Sequence, residues 1–205
     1  MKKEILQYAQ RLYRDKLVTG TSGNISIFDS ENNCVVITPS SKEYMKITED
    51  NIIIMDFDGN VIEGIGKPSS EWRMHVEIYR NRRDIKAVVH THSPYATGFA
   101  VLNESIPIIL IEMVPWLNGE IQVAEFALPG TVEMGATALK VLTDKYACLL
   151  SNHGVLAVGE SIQKAYNRVA YVEDAAKIYF ISKAIGEPKL LPESAVRHMM
   201  SKLGR

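Results

Sequence analysis

Ala87-Val88-Val89-His90-Thr91-His92-Ser93-Pro94 is the stretch on which the reading of this chain turns. Its three apolar residues, two of them β-branched, predict a short buried strand. Side chains two apart on a strand leave on the same face, so His90 and His92 point to one place at its C-terminal end. Pro94 has no N–H to offer a central ladder, so the strand stops there. Two imidazoles aimed at one point at the mouth of a sheet are how proteins hold a divalent metal. A lone His-x-His is a weak motif, so the rest of the chain must supply the remaining ligands.

Upstream, Lys67-Pro68-Ser69-Ser70-Glu71 opens a helix with Trp72, Val76 and Tyr79 on one apolar stripe. Serine before such a run predicts an N-cap, and the start of the helix favours an anion. Two readings of Glu71 stay open. It is either an acidic residue favoured by the helix dipole, or a carboxylate directed at the same pocket as the histidines. His75, one turn on, is expected to be a packed or exposed histidine and not a ligand. Two more turns are dense in small residues: Thr19-Gly20-Thr21-Ser22-Gly23-Asn24 before a strand over 25–28, and Thr38-Pro39-Ser40-Ser41-Lys42 after a strand over 34–37. Such turns leave backbone N–H groups free to face an anion. Together the three could line a phosphate pocket without a lysine-bearing P-loop. A third strand, 51–55, reaches a hairpin signal at Asp58-Gly59 and returns through Val61-Ile62.

Downstream, a short helix is expected over 95–102 and a strand over 105–111, ending at Glu112. The turn Asn118-Gly119 leads to a short strand over 122–124 with Phe126. A helix starts at Pro129-Gly130-Thr131 and runs to about residue 145. A buried strand over 147–150 is closed by Ser151-Asn152-His153-Gly154, and 155–158 is read as its continuation. Gly159-Glu160-Ser161 caps a long helix over 162–185, and a last helix begins at Pro192. An amphipathic helix over 4–17 opens the chain. His153 thus becomes a third histidine at the end of an apolar strand. Three imidazoles with an open position and a carboxylate in reach form the pattern of catalytic zinc.

Composition narrows the class. At 205 residues, 46% hydrophobic and 23% charged, the chain suits one globular domain over 1–205 with a sizeable core. A net charge of −1 and no basic stripe interleaved with aromatics argue against nucleic acid and anionic membrane as partners. No run approaches a membrane span of about 20 apolar residues. Cys34 and Cys148 lie in apolar runs without CxxC spacing, which predicts buried reduced thiols in a soluble cytoplasmic protein.

Five segments in order, Gly20–Ser26, Ile37–Ser41, Lys67–Trp72, Val88–Ser93 and Asn152-His153-Gly154, resemble the class II aldolase/adducin family, in particular its bacterial L-fuculose-1-phosphate aldolases. The resemblance runs from near residue 4 to about 190. It implies an α/β fold, a three-layer α/β/α sandwich around a largely antiparallel sheet, assembled as a homotetramer with active sites at subunit interfaces. It makes His90, His92 and His153 ligands of Zn2+, a set that could also take Mn2+, Co2+ or Fe2+. It makes Glu71 the acid/base and a metal ligand before substrate arrives. The phosphate of a sugar-phosphate substrate would lie among Thr21, Gly23, Asn24, Ser40, Ser41, Ser69 and Ser70. The implied reaction is reversible retro-aldol cleavage of a ketose 1-phosphate, L-fuculose 1-phosphate-like or a deoxyketose phosphate, to dihydroxyacetone phosphate and a short aldehyde.

The sequence departs from the fuculose-phosphate aldolases on the aldehyde side. Ile111 stands where they carry a tyrosine, with Glu112 beside it as a possible aldehyde-side residue, and the C-terminal tyrosine is absent. That leaves room for a smaller or deoxygenated aldehyde. The alternatives are methylthioribulose-1-phosphate dehydratase, for which Glu112 could serve, and ribulose-5-phosphate 4-epimerase, disfavoured by Pro115. A non-catalytic adducin-like module is remote, because all three histidines and Glu71 are present.

Overall fold

The β5 strand (Ala87–Thr91) forms where strand alternation predicts it, near the centre of an eight-stranded sheet. The structure, a computed structural model, describes residues 1–204. The other strands are β1 (Asn24–Asp29), β2 (Cys34–Ile37), β3 (Ile53–Met55), β4 (Val61–Glu63), β6 (Val123–Ala124), β7 (Ala147–Leu150) and β8 (Gly154–Gly159). Their order is β4-β3-β2-β1-β5-β8-β7-β6, and every neighbouring pair is antiparallel except β6 with β7. The helices are α1 (Lys2–Arg14), α2 (Trp72–Asn81), α3 (Pro94–Leu102), α4 (Met113–Leu117), α5 (Val132–Leu142), α6 (Ile162–Ile185) and α7 (Glu193–Lys202).

Period-2 alternation divides the core into two layers. Ala87 and Val89 of β5, with Val155 and Ala157 of β8, pack with buried residues of α1, α3, α4 and α6. Val88, Leu156 and Val158 face the other way, onto Met74, Ile78 and Tyr79 of α2 and Met134, Ala138 and Leu142 of α5. The result is an α/β/α sandwich. Central strands buried on both faces read as continuous apolar runs, and each fully buried Val, Leu or Ile is worth roughly 1.5–3 kcal/mol over leaving it exposed. No described helix is long and apolar enough to cross a membrane.

Three local expectations are corrected. Residues 105–111 are not a strand: Ile106 alone pairs, exchanging both backbone bonds with Ile121 at 3.0 Å. Pro107 has no N–H to extend that ladder, and Ile108, Ile109 and Leu110 pack onto the core from a loop. Residues 155–158 do not continue β7 but return beside it as β8, because Asn152 takes a left-handed φ of 53° and turns the chain. Finally, no serine side chain caps α2. Glu71 occupies the N-cap position, and its backbone N–H donates to Ser69 Oγ at 3.3 Å.

Candidate active site

The three small-residue turns converge on one end of the β1–β5–β8 strands. Ser40 N–H donates to the Lys67 carbonyl at 2.9 Å and Ser69 N–H to the Thr38 carbonyl at 3.0 Å, which stitches the second turn to the third. The Tyr44 hydroxyl donates to the Ser22 carbonyl at 2.9 Å and holds the first. Gly23 has a φ of 78°, and a Cβ there would meet the His90 carbonyl oxygen at 2.8 Å, so only glycine lets this loop lie against β5. Between the turns lies a cavity of about 210 Å³. Thr21, Gly23, Asn24, Ser40, Ser41, Ser69 and Ser70 line it together with Glu71, His92 and His153. Its lining carries hydroxyls and backbone but neither lysine nor arginine.

Beside the cavity the three histidines meet. His90 Nε2 lies 3.0 Å from His92 Nε2. Each of His90, His92 and His153 offers a ring nitrogen within 4.8 Å of the others. His90 Nδ1 donates to the Val155 carbonyl at 2.8 Å, which leaves Nε2 as the lone-pair nitrogen. Burial lowers His90 to about 4 and also lowers His92, so both rings are neutral at pH 7 and able to ligate. Glu71 completes the group: Oε2 is 3.4 Å from His90 Nε2 and Oε1 is 3.2 Å from His153 Nε2. Burial pushes the Glu71 carboxyl up, but His90 and hydrogen bonds from His153 and Asn24 outweigh it and hold the group well below the usual carboxylate range. The Asn24 Nδ2 donor, at 2.6 Å from Oε2, persists whatever the state of the imidazoles. Three imidazole nitrogens beside one carboxylate suit a divalent metal of borderline softness.

From the N-cap position of α2 the Glu71 carboxylate thus faces the pocket and the histidines. Glu112 is exposed at the start of α4 and is not among the residues lining the cavity. His75 is packed, fully buried against Asn24 and Ser26. Sequence reasoning missed two features. Asn24 contacts the Glu71 carboxylate directly, and Gly154 lies tight against two of the three histidines. A Cβ at Gly154 would lie 2.3 Å from the Thr91 carbonyl oxygen, 3.2 Å from the His92 ring and 3.3 Å from the His90 ring. We expect Gly154→Ala to cost about 1–3 kcal/mol or more and to weaken metal binding by spreading the ligands. Thermal melts and metal titration against wild type check this, and an unchanged affinity would contradict it.

Residues 3–180 match the family described as Class II Aldolase and Adducin N-terminal domain. The chain is 39% identical over 201 residues to a 5-deoxy-D-ribulose 1-phosphate aldolase of Bacillus thuringiensis serovar kurstaki, covering 98% of this chain and 94% of the relative. It is 34% identical over 183 residues to a 5-methylthioribulose-1-phosphate/5-deoxyribulose-1-phosphate aldolase of Rhodospirillum rubrum, covering 89% and 81%. A solved L-fuculose 1-phosphate aldolase superimposes with a TM-score of 0.93 at 41% identity, over 100% of this chain and 96% of that one. A sandwich of this topology, a histidine triad at its strand ends and a family match across most of the sequence agree: the chain belongs to the class II aldolase and adducin family.

Proposed function

We propose that this chain cleaves a 5-deoxyketose 1-phosphate to dihydroxyacetone phosphate and a short aldehyde, with zinc held by His90, His92 and His153. The family and its named relatives make this chain a metal-dependent class II aldolase of sugar phosphates, and dehydratase, epimerase and scaffold readings are not favoured. What carries the proposal is the cavity itself, where hydroxyl-bearing turns meet Glu71, His92 and His153, with His90 Nε2 3.0 Å from His92 Nε2. Two relatives named for 5-deoxyribulose 1-phosphate support the deoxy substrate, as does Ile111 where the fuculose enzymes carry tyrosine.

In cleavage the C3–C4 bond breaks, the C4 hydroxyl loses its proton to become the aldehyde, and the electron pair stays on C3 as an enediolate. A divalent metal supplies Lewis-acid stabilisation of that developing charge. Glu71 carries the proton that C3 takes up to complete dihydroxyacetone phosphate, and removes it in the condensation direction. Thr21, Gly23, Asn24, Ser40, Ser41, Ser69 and Ser70 bind the phosphate through hydroxyls and backbone N–H groups, aided by the positive end of α2. Binding energy from that remote phosphate fixes the reacting carbons over the triad.

We read the assembly as a homotetramer with active sites at subunit boundaries. Exposed Leu102, Phe180 and Ile185 on α3 and α6 support a surface that a second copy covers. Two buried free thiols support placement in a reducing cytoplasm. We take residues 1–205 as one domain, since all eight strands join a single sheet.

The test is a panel of 5-deoxyribulose, fuculose, ribulose and methylthioribulose 1-phosphates assayed for dihydroxyacetone phosphate. The highest kcat/KM is expected on 5-deoxyribulose 1-phosphate. Preference for fuculose 1-phosphate would overturn the deoxy reading, and loss of water from methylthioribulose phosphate without cleavage would overturn the aldolase.

A further inference from the structure

Glu71, His75 and Tyr79 stand at i, i+4 and i+8, on one face of α2 and the residue that precedes it. Asn24 and Ser26 stand at i and i+2, on one face of β1. The two faces interdigitate into a continuous line of side chains. Asn24 Nδ2 lies 2.6 Å from Glu71 Oε2, and Asn24 Oδ1 lies 2.5 Å from His75 Nε2. Ser26 Oγ lies 2.6 Å from both His75 Nδ1 and the Tyr79 hydroxyl. His75, Ser26 and Tyr79 are fully buried, and Asn24 is 2% exposed.

The chemistry of the end group gives this line one direction. An ionised carboxylate only accepts, so Asn24 must present Nδ2 to Glu71 and Oδ1 to His75. Oδ1 only accepts, so His75 carries its proton on Nε2. The remaining lone pair on Nδ1 takes the Ser26 hydroxyl proton, and Ser26 Oγ in turn accepts from Tyr79. Each donor thus has one acceptor, and no member can rotate without leaving a buried polar atom unpaired, which costs about 1–3 kcal/mol.

We propose that His75 is a positioning residue: through Asn24 it locks the Glu71 carboxylate so that Oε2 is held as an acceptor and Oε1 is left to carry the proton. The proposal rests on the reading of Glu71 as the acid/base. It explains a buried histidine beside the triad that ligates nothing. It also gives Asn24 a task besides lining the phosphate cavity. Without the Nε2–H donor, the Asn24 carboxamide can flip and turn its oxygen toward a carboxylate.

The test compares wild type, Glu71→Gln, His75→Phe, His75→Gln and Ser26→Ala, all metal-loaded, on the best ketose 1-phosphate of the panel. His75→Phe keeps the ring but loses the donor, and a 10- to 100-fold fall in kcat is expected with KM changed less than threefold and bound metal unchanged. His75→Gln keeps an N–H for Asn24 Oδ1 and is expected to recover kcat to within about fivefold of wild type. Should His75→Phe fail to fold, Ser26→Ala gives a second reading, because it removes the hydroxyl that holds His75 Nδ1 and lets the ring turn away from Asn24 Oδ1; kcat is expected to fall 3- to 10-fold at constant KM. Equal losses in His75→Phe and His75→Gln would reduce His75 to packing and overturn the proposal. So would a rise in KM with kcat unchanged, or wild-type rates throughout, while an inactive Glu71→Gln beside active wild type would leave the acid/base reading standing. A wild type inactive on every ketose phosphate overturns both.

Discussion

Glu71→Gln is expected to lower kcat by about 10²–10⁴-fold, the usual contribution of a positioned acid/base, while the protein remains folded. Glutamine matches the carboxylate in shape, and its oxygen still accepts from Asn24 Nδ2, which lies 2.6 Å from Oε2 in the native site. What it loses is the negative charge and the capacity to take and return a proton. Glu71 is 7% exposed, and burial penalises its charged form. The interactions that outweigh this penalty favour the ionised carboxylate, so neutralising it in the metal-free protein is expected to leave the melting temperature unchanged or lower it modestly. The measurement is steady-state cleavage at saturating metal beside a thermal melt. A variant that melts normally and cleaves at the wild-type rate would remove Glu71 from the chemistry.

The second large effect concerns the triad. Dialysis against a chelator is expected to abolish cleavage and to lower the melting temperature, because a ligand bound only to the folded state stabilises it. Adding back Zn2+, the metal proposed for the triad, is expected to restore both. The reason is geometric: His90 and His92 nitrogens lie 3.0 Å apart, with Glu71 within 3.4 Å of His90. Three imidazoles that can each turn a ring nitrogen toward one point, with a carboxylate beside them, form a donor set suited to a divalent cation. Loading with Co2+ in place of zinc gives a visible absorption spectrum that reports ligand number. Removing His92 by alanine substitution is expected to change that spectrum and weaken metal binding by 10-fold or more. Full activity after exhaustive chelation would contradict the metal site.

Much of this site is legible in the amino-acid sequence, for reasons that differ from residue to residue. His90 and His92 are readable because strand alternation is local and strict. The three cavity-lining turns are readable because glycine and serine clusters mark tight turns at strand ends, while their convergence on one cavity depends on the sheet order. Glu71 is ambiguous, since a carboxylate at a helix start satisfies two different physical arguments. The burial of His75 and its pairing with Asn24 are not legible: they depend on how α2 lies across β1, which no short-range pattern encodes. The spacing of Glu71, His75 and Tyr79 is the available signal. The apolar run over 105–111 misleads because β-branched residues report a fit to apolar surroundings and not the presence of a partner strand. The polar turn Ser151-Asn152-His153 between β7 and β8 is visible, but both strands are buried on both faces and apolar throughout, so the pattern does not tell a hairpin from a continuation.

Proton exchange on dihydroxyacetone phosphate alone tests the central claim most directly, because it needs no choice of aldehyde. Metal-loaded protein in D2O is expected to exchange one of the two C3 hydrogens, seen as loss of half that proton NMR signal, and Glu71→Gln is expected to slow the exchange by at least 100-fold. Absence of exchange in the metal-loaded wild type, or exchange at an equal rate in the variant, would contradict an enediolate formed over the histidine triad with Glu71 as its acid/base.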